Sequence, residues 1–170
     1  FPRAVHSLFE AIDARGQHCS VDSGDYSGYR VSFSYFQIYV DKIQDLLSFQ
    51  EKMSLPVRER AAGSCKPSEP RVYIEGLTER PCASADEVLA AFEEGDANKT
   101  VAQTCLNRHS SRAHTLLSLV VISPGGKSRS TLTLVDLAGS ERAGRMRLSG
   151  KLLEEAKAIN RNLNALGNVV

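Results

Sequence analysis

The sequence predicts an α/β fold, with a mixed sheet flanked by helices, in a single domain that covers residues 1–170. Residues 29–40 are dense in β-branched and aromatic side chains and are apolar on both faces in their second half, as in a central strand. Residues 115–122 and 130–137 are apolar segments separated by a Pro-Gly-Gly turn, which indicates a hairpin. Residues 152–170 carry apolar side chains every three or four positions, which is typical of an amphipathic helix.

Shorter elements connect these segments. Residues 41–47 are predicted to form a short helical turn, and residues 71–76 a short strand. Ser84 followed by Glu87 has the spacing of a capping box and predicts a helix start, and Gly95 predicts the end of that helix. The polar stretches 13–28 and 48–70 are expected to be surface loops.

Composition excludes several classes of protein. Hydrophobic residues make up 42% of the 170 residues, which is typical of a globular chain and not of a disordered one. The 21 Lys and Arg against 20 Asp and Glu give a formal charge of +1, so broad attraction to nucleic acid is not expected. No apolar stretch approaches the roughly 20 residues of a membrane span, and the N-terminus does not have the pattern of a signal peptide. We therefore expect no nucleic-acid partner and no membrane insertion.

The four cysteines are scattered. Cys19, Cys65, Cys82 and Cys105 have neither a Cys-x-x-Cys spacing nor a short Cys/His spacing, which argues against a zinc site. Their even number permits two disulfides in principle, but a chain of this length can bury a core without them. Reduced thiols in the cytosol are the expectation.

The segment LTLVDLAGSE, residues 132–141, carries the strongest local signal for phosphate chemistry. A hydrophobic strand delivers Asp136 at its carboxyl end, and Gly139 follows three residues later. Such an Asp can reach a magnesium-bound water, and a glycine amide can approach a terminal phosphate without a side chain between them. The alternative is a plain turn in which Asp136 is a cap and Gly139 supplies a positive φ.

A phosphate-binding loop is absent from these residues. Gly126, Lys127 and Ser128 match the end of such a loop, but Val121 occupies the position of its first glycine and a strand follows instead of a helix. We therefore expect Gly126 to lie in a hairpin turn.

A second signal lies in NRHSSRAH, residues 107–114. The adjacent hydroxyls of Ser110 and Ser111 beside Arg112 suit contact with a metal and a phosphate. The alternatives are that His109 and His114 are ordinary surface or core histidines, or that the segment belongs to a Ser/His hydrolase. The hydrolase would require an oriented acid and an oxyanion hole that the sequence does not identify.

A third signal is a local cluster of positive charge. Arg142, Arg145, Arg147 and Lys151 lie close together in the chain, and no acidic residue separates them. In a chain of balanced charge, this cluster favours docking to an acidic surface. The alternative is a solvated loop.

Taken in order, NRHSSRAH, VDLAGSE and INRNLNALGNVV resemble switch I, switch II and the relay helix of the kinesin motor domain. In this numbering switch I is residues 107–114, and switch II is residues 136–141 within VDLAGSE. The relay helix is about 152–170, and INRNLNALGNVV is its part from 159 to 170. Earlier segments agree: VSFSYFQIYVDKIQDLL and VYIEGLTE are similar to kinesin strands. The resemblance covers nearly the whole chain apart from the two loops. It implies a P-loop NTPase motor core that is incomplete.

The resemblance implies roles in ATP and Mg²⁺ chemistry. Ser110 and Ser111 would contact the γ-phosphate, the magnesium ion and the attacking water, with Ser111 as the metal contact. Arg112 would pair with Glu141, closing switch I on switch II and helping to move a proton from that water. Asp136 would hold magnesium through water. The remaining nucleotide contacts implied are Asn107 and the amide of Gly139.

The resemblance also implies a microtubule interface, because the tubulin surface is acidic. Its implied residues are Arg142, Arg145, Arg147, Lys151 and Asn160. Loss of the γ-phosphate would release Gly139 and reposition the relay helix, so that hydrolysis controls affinity for the track. The location implied is the cytoplasm, on the microtubule cytoskeleton.

Some positions depart from the family pattern. Ala113 replaces a Ser in switch I, Asn162 replaces a Ser in the relay helix, and Val40 replaces an Asn. Met146 and Arg147 stand where many kinesins have Thr-Gly. Ala113 lies nearest the chemistry. We therefore expect impaired tuning of ATP hydrolysis and not its abolition.

The length departs further, since a kinesin motor core is much longer than this chain. The sequence begins after the phosphate-binding loop of the family and ends inside the relay helix, so we expect the 170 residues alone to be inactive, with uncovered sheet edges.

Part of an ATP-driven microtubule motor is the favoured function, and a non-catalytic microtubule-binding module derived from kinesin is the alternative. A GTP-binding switch protein fits less well, because no Asn-Lys-x-Asp motif occurs. Subfamily, direction of movement, cargo and oligomeric state are not encoded in this segment.

Overall fold

The described part of the chain contains the helices α1 and α2, seven strands and a 3₁₀ turn, and Arg161 is also helical. The computed structural model describes residues 1–15, 28–39, 41–48, 54–61, 70–106 and 113–138, together with Arg161. In chain order the elements are α1 (Pro2–Asp13), β1 (Arg30–Tyr39), β2 (Lys42–Asp45), β3 (Val57–Glu59), β4 (Val72–Ile74), β5 (Arg80–Cys82), α2 (Ala85–Leu106), β6 (Ala113–Ile122) and β7 (Arg129–Asp136). Within these ranges no helix is both long enough and apolar enough to cross a membrane.

β1 lies inside a five-stranded sheet of order β2-β1-β6-β7, and β5 also pairs with β1. The ladders that join these strands are all antiparallel. β6 pairs with β1 along its whole length, from Arg30 opposite Ile122 to Tyr39 opposite Ala113. The predicted central strand over residues 29–40 is therefore confirmed for the described residues. Consecutive side chains from Phe33 to Gln37 are buried, so both faces of the strand are covered there, as its apolar character predicted.

The helical turn predicted over residues 41–47 is wrong, because residues 42–45 form β2. Asp41 has a φ of 62°, a left-handed conformation that asparagine and aspartate tolerate better than most residues. The chain reverses there, and Ile43 comes to lie opposite Ile38 of β1. Burial of Ile43 and the ladder hydrogen bonds together outweigh the local pattern that favoured a turn.

The main core lies between the sheet and the two helices. α1 contributes Val5, Phe9 and Ile12, whose spacing of four and three residues places them on one helical face. This helix was not predicted from the sequence, although Pro2 at its first turn is a common start. The other buried members are Val31, Phe33, Tyr35, Leu46, Leu47, Cys82, Val88, Ala91 and Leu119.

α2 begins as predicted at a capping motif. The Glu87 N–H donates to Ser84 Oγ at 3.2 Å, and the Glu87 carboxylate accepts from the Ala83 N–H at 2.7 Å. The predicted end at Gly95 is wrong, since the helix continues to Leu106. Gly95 is needed for packing and not for a cap, because a Cβ there would lie 2.3 Å from Cδ1 of Tyr35.

Polar contacts fix α2 to the strands. Arg80 of β5 donates to both carboxylate oxygens of Glu94, at 2.5 and 3.1 Å. The side-chain amide of Asn98 donates to the carbonyl of Leu46 at 2.8 Å. Burial, aided by the nearby carboxylate of Asp96, raises the pKa of Tyr35 to about 12, so this phenol remains protonated as a hydrogen-bond donor.

The hairpin predicted from residues 115–137 is confirmed as β6 and β7. Its turn is a single 3₁₀ turn, Pro124–Gly126, in which Gly125 and Gly126 have φ values of 68° and 69°. The Ser128 N–H donates to Ser123 Oγ at 2.8 Å and closes the turn. Gly126, Lys127 and Ser128 thus belong to a hairpin, as predicted, and not to a phosphate-binding loop.

β7 is the outer strand of the described sheet, and it is poorly covered. Leu132 is 43% exposed and Val135 is 50% exposed, and these two side chains point to opposite faces of the strand. The expectation of an uncovered apolar edge is met here.

The segment predicted as a loop over residues 48–70 contains β3, which pairs with β4 in a separate two-stranded ribbon. Exposed ion pairs join Arg58 to Glu75 and Arg71 to Glu59, each at 2.7 Å. The loop prediction is therefore wrong for residues 57–59, whose side chains are all exposed and whose strand state comes from pairing with β4. Exposed ion pairs contribute little stability singly.

We predict that Gly95→Ala destabilises the natural polypeptide that contains this chain. The free energy of unfolding should fall by about 2 kcal/mol, because the added methyl overlaps the buried ring of Tyr35. This loss outweighs the gain of about 1 kcal/mol that alanine has over glycine inside a helix. Urea unfolding followed by circular dichroism measures the difference.

The matched control is Glu93→Ala, an exposed substitution on the same helix, which should change stability by less than about 0.5 kcal/mol. Adding Tyr35→Leu to Gly95→Ala should cost less than the sum of the two single changes, since the ring no longer occupies the space. A stabilised Gly95→Ala variant would contradict the packing argument.

Candidate functional site

The predicted phosphate-contacting segments adjoin two strand ends that lie at the same end of the sheet. β6 begins at Ala113, directly after residues 107–112, and β7 ends at Asp136, three residues before Gly139. Since the two strands are antiparallel neighbours, the start of β6 and the end of β7 lie at the same end of the sheet, with Thr115 opposite Asp136.

A row of polar side chains crosses four strands at this end of the sheet. Gln44 lies opposite Gln37, Gln37 opposite Thr115, and Thr115 opposite Asp136. Directly opposed residues share a face, so the row lies on the same face as Tyr35 and the α2 helix. The Gln37 amide donates to the Gln44 side-chain oxygen at 2.7 Å.

Two oxygens in this row are buried without a partner among the described residues. Gln37 and Thr115 are each 2% exposed, and Gln37 Oε1 and Thr115 Oγ1 accept or donate no hydrogen bond there. A buried polar atom of this kind usually marks the position of a further polar group. The sheet is therefore polar and incompletely satisfied at the place where residues 107–112 join β6.

Asp136 presents its carboxylate at the exposed end of β7. Its negative charge contributes to the raised pKa of Tyr35, as expected for groups on one face of the sheet. Carboxylate, hydroxyl and amide oxygens are the donors that Mg²⁺ prefers, so the polar row fits that ion chemically. Among the described residues, however, no group of three or more His, Cys, Asp or Glu could hold a metal.

A hydrogen bond to His114 joins the start of β6 directly to the residues that follow β7. The Ala138 N–H donates to His114 Nδ1 at 3.1 Å, and the imidazole is 7% exposed. Burial lowers the pKa of His114, which favours the neutral ring that this bond requires. The sequence offered only an ordinary histidine at this position. The signal that could have found the contact is the position of His114 as the second residue of β6, at the open end of the hairpin.

Most of the residues predicted for the site lie outside the described residues. These are Asn107, Ser110, Ser111, Arg112, Gly139, Glu141, Arg142, Arg145, Arg147, Lys151 and Asn160. The Arg112–Glu141 pair and the basic microtubule-facing loop therefore stay predictions. Asp136 is described, and it lies at the end of a strand, as expected.

One residue of the predicted relay helix is described. Arg161 is helical and forms an ion pair with Asp41, at the turn between β1 and β2. Both side chains are more than half exposed. The contact joins residues that are far apart in sequence, so it places Arg161 next to the carboxyl end of β1.

The whole chain matches a known family. Residues 1–170 match the kinesin motor domain. The chain is 38% identical over 174 residues to kinesin heavy chain isoform 5C of Rattus norvegicus, and 35% identical over 172 residues to kinesin-related protein 5 of Dictyostelium discoideum. Each alignment covers 99% of this chain and 16% of the relative.

Solved structures agree with the sequence comparison. A fast kinesin, described for its ATPase mechanism and its interactions with microtubules, has a TM-score of 0.76 and 36% identity, covering 98% of this chain and 44% of that structure. The KIF14 dimer with AMP-PNP, in complex with a microtubule, has a TM-score of 0.71 and 31% identity, covering 99% of this chain and 46% of that one.

These matches confirm the predicted resemblance and the predicted fold class, a partial α/β motor core. The 170 residues span less than half of the solved motor structures and about a sixth of the relatives' full length. Matched from its first residue to its last, this chain belongs to the kinesin motor domain family.

Proposed function

We propose that these residues are part of an ATP-driven microtubule motor, in which ATP hydrolysis is coupled to microtubule binding and movement. The observation that carries the proposal is the pairing of Thr115 with Asp136, which sets Asp136 of one predicted motif beside β6, the strand that directly follows the other. Membership of the kinesin motor domain family supports it. The place of action is the cytoplasm, on the microtubule cytoskeleton.

Six side chains and one amide have roles in this proposal. Ser110 and Ser111 contact the γ-phosphate and the metal, and Asn107 contacts the nucleotide. Asp136 holds Mg²⁺ through water, and the Gly139 amide responds to the terminal phosphate. Arg112 pairs with Glu141, and this pair closes one motif on the other and helps to move a proton from the attacking water. Bound Mg²⁺ neutralises charge on the phosphates, and the protein's part is to position and stabilise charge.

A phosphate-binding loop is required in addition. The 170 residues contain no Gly-x-x-x-x-Gly-Lys-Ser/Thr motif, so the β- and γ-phosphates need a cradle from outside them. Direction of movement and cargo likewise depend on other parts of such a motor.

The second candidate function is a microtubule-binding module without its own ATP hydrolysis. It is favoured by the same missing motif, together with the basic residues Arg142, Arg145, Arg147 and Lys151. On this alternative the switch residues no longer act on a nucleotide. The near-complete set of switch residues favours the motor.

We predict that Glu141→Ala in the natural polypeptide lowers microtubule-stimulated ATP turnover by about a hundredfold, because the pair with Arg112 that helps to move the proton of the attacking water is lost. Turnover is measured by phosphate release with taxol-stabilised microtubules. The matched control, Glu93→Ala, removes an exposed carboxylate from α2 and should leave turnover unchanged.

Co-sedimentation with and without ATP separates the two functions. A motor changes its microtubule affinity with nucleotide, whereas the non-catalytic module binds equally in both conditions. Wild-type binding that ignores ATP, together with no phosphate release, would reject the motor and support the module.

We predict that replacing Arg142, Arg145, Arg147 and Lys151 with alanine weakens microtubule binding at low salt at least tenfold. Four exposed charge pairs of about 0.5 kcal/mol each would account for that change. The variant should also show a shallower dependence of binding on salt, because fewer charges are screened.

Lys127→Ala is the control, since Lys127 lies in the turn at the opposite end of the β6–β7 hairpin. It should bind microtubules as the wild type does. Equal salt dependence in the fourfold variant and the wild type would place the interface elsewhere.

A further inference from the structure

The hydrogen bond between His114 and Ala138 lies where the β6–β7 ladder stops. The last described pair of the ladder is Thr115 opposite Asp136, and beyond it the backbone amide of Ala138 has a side-chain acceptor instead of a strand partner. Ala138 is buried, so its N–H would be costly to leave without an acceptor. The imidazole therefore extends the hydrogen bonding between the start of β6 and the residues after β7 beyond the last ladder pair.

The chemistry of the contact defines the state of the ring. Nδ1 must be unprotonated to accept from the Ala138 N–H, so the ring is neutral and its proton is on Nε2. Nε2 is buried without a partner among the described residues. A ring held in this way keeps one tautomer and one orientation.

The two ends of this bond belong to different motifs. His114 follows Arg112 by two residues, and Ala138 directly precedes Gly139. A displacement of the chain at Ala138 is therefore transmitted to the start of β6, and a displacement there is transmitted to Ala138. Ser118 and Thr133 make a second side-chain bond between the same strands, at 3.1 Å, but in the middle of the hairpin and exposed.

We infer that His114 is a positioning residue that couples the two phosphate-responsive motifs through its Nδ1 bond to the Ala138 amide. This inference rests on the proposed function. His114 itself touches no reacting atom in the proposal. It fixes the chain that leads into Gly139, so that the Gly139 amide and the hydroxyls of Ser110 and Ser111 respond together.

The test compares three substitutions in the natural polypeptide. His114→Asn places an amide oxygen at the position of Nδ1 and keeps the acceptor. His114→Gln carries the same amide one carbon farther out, and His114→Phe keeps the ring volume without an acceptor. Microtubule-stimulated kcat and the KM for ATP are measured for each, together with the melting temperature.

The expected result is a fall in kcat of about five- to tenfold for His114→Phe and His114→Gln, which is the loss of one hydrogen bond. The KM for ATP should change less than twofold, since the bond positions groups for the reaction and does not bind the nucleotide. His114→Asn should restore kcat to within about twofold of the wild type, because its oxygen accepts from the same amide. The control, Ser118→Ala, removes the mid-hairpin bond and should leave kcat unchanged.

Other outcomes overturn the inference. A purely structural histidine would lower the melting temperature in His114→Phe and His114→Gln and leave kcat per folded molecule at the wild-type value. Equal loss of kcat in His114→Asn and His114→Phe would also exclude the acceptor role. A wild type that releases no phosphate would reject the proposed function and this inference together, whereas an active wild type with an equally active His114→Phe rejects the inference alone.

Discussion

The full-length pairing of β1 with β6 is the constraint on which the other features depend. Its register places Gln37 opposite Thr115, and β6 in turn places Thr115 opposite Asp136. A slip of one residue would move every side chain of β1 to the other face of the sheet. Tyr35 would leave the core beneath α2, and the polar row would be broken, so the same register determines both the core and the candidate site.

The core and the site are joined at Tyr35. Its ring packs against Gly95 of α2, while Gln37, two residues later on the same face, belongs to the polar row. Arg80 with Glu94, and Asn98 with the Leu46 carbonyl, hold α2 against the strands. These contacts fix the middle of α2 against the sheet, so the helix that covers Tyr35 is held by polar contacts as well as by packing.

The sequence predicted those elements whose signal is local and strong. The central strand and the β6–β7 hairpin were found, because continuous apolar runs and a Pro-Gly-Gly turn leave few alternatives. The prediction that Gly95 ends a helix was wrong. A glycine is needed there because the backbone lies against the ring of Tyr35, sixty residues earlier, and no local sequence pattern contains that contact. β2 was missed for a similar reason, because its strand state comes from pairing with β1. At the site, Asp136 was predicted from its strand end, but the bond from Ala138 to His114 depends on the hairpin register and was not.

The strand that carries Asp136 is the least covered strand of the sheet, and this affects how firmly the site is held. Leu132 and Val135 are exposed on opposite faces of β7, so the strand is held by its ladder with β6 more than by packing. Parts of a protein with few buried apolar contacts open at lower free energy than the core. The His114 bond lies at the end of that ladder, where strand pairing has stopped. Covering β7 on either face would therefore stabilise Asp136 and the chain leading to Gly139 without any change in the site's own residues.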